Sequence, residues 1–141
     1  MKRPVKFLLA TIWFSAFFAQ AQDTALELKA VLALIDQNKP AEAARAFVAV
    51  KSPDARSPAM AEFVRGRIAI AEKKYPEALQ HFSNVIVFHS RDPEWMPAAT
   101  FYEGVVYKKT GYLTAASNIV EELKLAYPDT VWSRRAAELK K

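Results

Sequence analysis

Residues 98–128, AATFYEGVVYKKTGYLTAASNIVEELKLAYP, decide the fold. Ala98, Phe101, Tyr102, Val105 and Val106 fall at i, i+3, i+4, i+7 and i+8, a single apolar stripe along an α-helix. After Gly111, residues Ala116, Ile119, Val120, Leu123 and Tyr127 draw a second stripe. No stretch alternates with period two, so no strand is expected. The pair reads as a helical hairpin with its turn at Gly111.

Working outward, the hairpin recurs. A shift of 38 places Asp54 on Asp92, Phe63 on Phe101, Gly66 on Gly104 and Ala78 on Ala116. A shift of 35 places Ile35 on Ile70, Glu42 on Glu77, Ala43 on Ala78 and Phe47 on Phe82. A shift of 37 places Asp92 on Asp129 and Trp95 on Trp132. Three units follow, at 24–51, 57–90 and 94–128, with the start of a fourth. Pro40, Pro76 and Gly111 fall between the two helices of a unit, and Pro53, Pro58, Pro93, Pro97 and Pro128 between units. Asp23, Asp54, Ser57, Asp92 and Asp129 are candidate N-caps or turn starters. Ser52 to Ser57 reads as a polar connection. One hairpin cannot cover its own apolar face, so about three must stack for stability. Phe63, Phe82 and Phe101 are then core, and a helix within 130–140 closes the stack, with Arg134, Arg135, Lys140 and Lys141 facing water.

These residues resemble the tetratricopeptide repeat family. Gly66 and Gly104 match the position where the first helix of such a repeat approaches its neighbour. Ala78 and Ala116, twelve residues on, match the position where the second helix packs on the first. Tyr107 and Pro128 complete the pattern. Residues 24–128 carry the likeness. Unit one has Val31 where the glycine belongs. The stretch from Gly111 to Ala136 also looks like repeats of periplasmic and outer-membrane assembly proteins, such as the Tol-Pal-associated coordinator and the barrel-assembly lipoprotein. The resemblance implies a right-handed α-α superhelix, a solenoid of about three hairpins and a C-terminal cap. Its first helices would line a concave groove where protein partners bind.

The N-terminus reads as an address. Lys2, Arg3 and Lys6 precede the uncharged run Phe7–Ala19, and Ala19-Gln20-Ala21 offers small residues at a cleavage site. At about 1.5 Å per residue this run spans roughly 20 Å, short of a ~30 Å hydrocarbon core. The expectation is a secretory signal peptide over 1–21 and a domain over 22–141. No stable membrane span would remain, and the location would be periplasmic or secreted. Removing three of the 20 basic residues leaves 17 against 15 acidic, a net +2. That balance gives no support to nucleic-acid binding.

Chemistry finds little footing. The chain has no Cys, so no thiolate metal site or Cys nucleophile is available, and its three Gly are too scattered for a phosphate loop. His81 and His89 stand eight apart, about 12 Å along one helix, too far to share one Zn²⁺ at Zn–N bonds of about 2.0 Å. His81 lies four residues after Glu77, the spacing of a surface pair. Glu121 and Glu122 are adjacent and point apart. The serines have no nucleophile-elbow setting. No catalytic residue, metal ligand or cofactor is expected.

What remains is the groove the resemblance implies. Counting from the glycines, its candidates are Leu32 from unit one, Met60, Arg67 and Ile70 from unit two, and Val105, Lys108 and Lys109 from unit three. Phe63 and Phe101 belong rather to the core. An apolar channel with Arg67 and Lys108 as basic points suits a peptide or partner helix bearing an acidic group or free carboxylate. The expectation is a non-enzymatic, exported protein-binding module of the bacterial cell envelope. The alternative is a structural, oligomerising subunit of an envelope assembly, using its outer edge or its Trp95 and Trp132 side.

Overall fold

The computed structural model describes residues 23–140. The leader expected at 1–21 lies outside them. The described residues are all-helical, without strands. Helix α1 covers 23–36. It is followed by α2 (Pro40–Ala49), α3 (Pro53–Arg56), α4 (Pro58–Ala71), α5 (Tyr75–Phe88), α6 (Trp95–Lys109), α7 (Leu113–Ala126) and α8 (Val131–Arg135). A 3₁₀ turn, Ala136–Leu139, extends α8. Neighbours in sequence are neighbours in space: α4 packs on α5, α5 on α6, and α6 on α7. No helix among the described residues is long and apolar enough to cross a membrane.

The prolines act as helix starters. Pro40, Pro53, Pro58 and Pro76 sit at the first or second position of α2, α3, α4 and α5, where a missing N–H costs nothing. Three details of the sequence reading change. The connection from Ser52 to Ser57 contains one turn of helix, α3, whose Asp54 binds Arg65 instead of capping. Pro97 lies inside the first turn of α6, not between units. Asp92 does start a turn, its Oδ1 accepting from the N–H groups of Glu94 and Trp95 at 3.0 and 2.8 Å. At α8 the capping residue is Thr130, which accepts from the Ser133 N–H, and not Asp129.

Three turns repeat atom for atom. Asn38, Lys73 and Gly111 take φ of 61°, 61° and 85°. In each turn that residue's N–H reaches back three residues, to Ile35, Ile70 and Lys108 respectively. The next N–H reaches five residues back, Lys39 to Leu34, Lys74 to Ala69 and Tyr112 to Tyr107, at 3.0, 2.8 and 2.9 Å. This is the Schellman closure of a helix. Five residues beyond each left-handed position stand Ala43, Ala78 and Ala116, all 0% exposed. A fixed turn followed by a small residue in the first turn of the next helix folds each hairpin back on itself.

Glycine sets how closely. A Cβ on Gly66 would come within 2.5 Å of the Phe82 ring, and one on Gly104 within 2.9 Å of Ile119 and 2.6 Å of Leu139. The core runs through the helices in three linked clusters. One gathers Leu28, Val31, Ala43, Met60 and Val64; the next Phe63, Ala78, Phe82, Val85 and Val106; the last Phe101, Ile119, Val120, Leu123 and Leu139. Phe63, Phe82 and Phe101 are 1%, 0% and 1% exposed, each contributing about 1.5–3 kcal/mol by burial.

Candidate functional site

A cavity of about 600 Å³ opens across three hairpins. Its walls come from α1 (Leu32, Asp36), α4 (Phe63, Arg67), α6 (Trp95, Tyr102) and α8 (Val131, Trp132, Arg135). The floor is aromatic. Phe63 lies 5.1 Å from Trp95 and 5.5 Å from Tyr102, and Tyr102 lies 5.7 Å from Trp132. The repeat explains the pairing: Trp132 meets Phe101 at 5.4 Å and 39°, as Trp95 meets Phe63 at 5.1 Å and 43°. Both tryptophans therefore pack one hairpin on the next.

The two arginines of the cavity are held in place. Arg67 donates to Asp36 at 2.7 Å and lays its guanidinium 4.1 Å over the Tyr102 ring. Arg135 lies 4.8 Å over Phe101 and 5.4 Å over Trp132, and pairs with Glu138 at 3.2 Å. The Glu138 hydrogen bond, ahead of the opposing effect of burial, raises the Arg135 pKa, and Tyr102 adds to it. Arg135 is thus part of the packing rather than a residue turned to water. Lys140 and Arg134 are exposed as expected, Lys140 reaching Glu121 at 2.7 Å and Arg134 donating to the Asp129 carbonyl, while Lys141 lies outside the described residues.

The seven groove candidates do not converge. Leu32 and Arg67 line this cavity. Val105, Lys108 and Lys109 line a separate hollow of about 370 Å³ beside Leu139. There the Lys108 Nζ donates to the Glu138 carbonyl at 2.7 Å and ties the C-terminal turn to α6. Ile70 packs, half-buried, on the central cluster. Met60 is buried and lines a third cavity at the loop edge. The sequence reading missed Asp36, Tyr102 and Arg135. Tyr102 could have been found from its place in the stripe beside Phe101; Asp36 could not, being 31 residues from its partner.

A second polar cluster ties α3, α4 and α5. Arg65 grips Asp54 through both oxygens at 2.6 and 2.8 Å, reaches Glu62 at 2.8 Å, and lies 5.0 Å over Phe47. Glu62 accepts from Asn84 at 2.9 Å and meets His81 at 3.0 Å. His81 is therefore closer to Glu62 than to Glu77, which stands 4.0 Å away. The Arg65 hydrogen bond lowers the Asp54 pKa. Burial pushes Glu62 up, but Asn84, His81 and Arg65 outweigh it and leave the carboxyl lowered. In hairpin three Glu103 stands where Arg65 stands in hairpin two. Burial raises its pKa, the Tyr107 hydroxyl opposes this, and Glu122 adds a like charge. Among the described residues no group of three or more His, Asp or Glu could hold a metal ion.

No protein-family model matches the chain, and no curated protein or solved structure matches it.

Proposed function

We propose that this is a non-enzymatic, exported protein-binding module whose hairpins form a right-handed superhelix of the tetratricopeptide kind. The aromatic cavity formed by α1, α4, α6 and α8 receives a peptide or helix of a partner in the bacterial cell envelope. One observation carries the reading. Phe63, Trp95, Tyr102 and Trp132, from successive hairpins, form a continuous apolar floor with its cations fixed by stacking. Rigid aromatics at the centre of a concavity are what binding hot spots are made of. Arg67 and Arg135 shape that floor; their charges are already answered by Asp36 and Glu138. Apolar contact therefore supplies the affinity.

Photo-crosslinking tests it. A benzoylphenylalanine at Leu32, in the cavity, is expected to capture a distinct protein in cells. The same group at Leu125, 84% exposed on α7, should not. Equal capture from both positions would sink the groove reading.

A further inference from the structure

A further cavity, of about 730 Å³, lies beside the aromatic groove at the loop edge, where α1, the start of α4 and the 89–94 loop meet. Trp95 and Glu94 line both, so the two are contiguous. The lining of the edge cavity is mixed: Ala25, Pro58, Pro93 and Trp95 give it apolar surface beside charged and polar side chains. Phe88 stands at its side, 75% exposed. The repeat does not ask for that ring, since 38 residues later the position holds Ala126. The ring adds exposed apolar surface at the rim of the hollow.

Charge says what kind of contact. In the groove both arginines are already paired with carboxylates. At the edge, Lys29 and Arg91 are exposed and form no ion pair among the described residues. Asp92 also lines the cavity, half-buried, with its Oδ1 accepting from the N–H groups of Glu94 and Trp95. Glu94 lines both cavities, the one carboxylate that opposes an acidic occupant from the boundary between them. With Lys29, Arg56 and Arg91 outnumbering Asp92 and Glu94 in a lining that is part apolar, the cavity complements a segment that is both acidic and apolar.

We propose that the edge cavity binds an acidic peptide stretch carrying a large apolar side chain. Lys29 and Arg91 meet its carboxylates, and Phe88 meets its apolar group. The proposal rests on the groove reading only in placing this stretch as the continuation, past Trp95, of the groove's occupant.

The test is fluorescence anisotropy on the full chain at low salt, with a labelled peptide alternating Glu with Phe and Leu, and its counterpart with Gln for Glu. The acidic peptide should bind about tenfold tighter than the Gln peptide and weaken as salt is raised. K29E/R91E should lose about tenfold, F88S should weaken binding, and E94Q should strengthen it two- to threefold by removing a like charge. Neither Lys29 nor Arg91 has an ion-pair partner to lose among the described residues, and an unchanged circular dichroism spectrum confirms each variant folds. The groove variant Y102A/W132A separates the two readings. Loss there but not in K29E/R91E overturns the edge proposal and keeps the groove. Loss in K29E/R91E alone keeps the edge and overturns the groove. No saturable binding of the acidic peptide, equal binding of both peptides, or binding to anionic phosphatidylglycerol vesicles that K29E/R91E abolishes while the peptide stays unbound would each overturn the proposal.

Discussion

Hairpins one and two share a turn, a buried alanine and a phenylalanine at matching places, yet they close differently. In hairpin two Gly66 lets the Phe82 ring seat directly against the backbone of α4, and that ring is 0% exposed. In hairpin one Val31 holds the glycine's place and is itself buried, and Phe47, the counterpart of Phe82, is only half-buried. A guanidinium from the next hairpin, Arg65, covers it instead. A glycine in a helix costs about 1 kcal/mol against alanine. Here it is offset by a whole aromatic ring brought into the core. Where the glycine is missing, the ring must be covered from outside, and a polar cluster does so.

The largest effect should break this symmetry outright. Phe82→Ala is expected to cost about 3–5 kcal/mol, and Phe47→Ala about half that, by urea unfolding. Equal losses would mean the two rings are buried alike. Gly66→Ala should cost about 1–3 kcal/mol by overpacking against Phe82, and less in a Phe82→Leu background, because the atoms it meets are the ring's own.

A smaller effect sharpens the likeness of the turns. Lys73 adopts the left-handed conformation that glycine takes at 111. Lys73→Gly should therefore stabilise by up to about 1 kcal/mol, and Gly111→Ala should destabilise by a similar amount. A thermal melt reads both, and a destabilising Lys73→Gly would contradict the turn geometry.

The smallest contrast is in pH. Asp54 and Glu62 have lowered pKa values, so their contribution is present above their unfolded values and is lost as pH falls through the folded ones. Glu103 is raised, so the native state favours its protonated form. Its contribution is present below its unfolded value, near 4.5, and is lost as pH rises through the folded one. Glu103→Gln should therefore gain stability relative to the parent as pH rises from 4 to 7, while Asp54→Asn should lose it. Urea midpoints across that range check the signs; a parallel pH profile for both variants would reject the assignment.

Much of this was legible in the residues. The 3.6-residue stripes and the shifts of 35 to 38 mark the hairpins, because a helix in water must hide one face. Asn38 and Gly111 announce their turns because both tolerate positive φ. In unit two Pro76 marks the turn, but only the closed backbone bonds show that Lys73 takes its left-handed position. Site residues were less readable. The count from the glycines put seven residues in one groove; the structure keeps Leu32 with Arg67 and sends Met60, Ile70 and the Val105, Lys108 and Lys109 group to other surfaces. Helical phase tells which face a residue is on, not which neighbour already occupies it.

The sequence by itself determined that these residues form amphipathic helices broken at set points, since periodicity and turn chemistry act over a few residues. Only the tertiary structure decided which charges are free. Arg67 finds Asp36 from 31 residues away and Lys108 finds the Glu138 carbonyl from 30, while Lys29 and Arg91 find no ion-pair partner among the described residues. Pairing of that kind depends on how hairpins pack, and no local pattern encodes it.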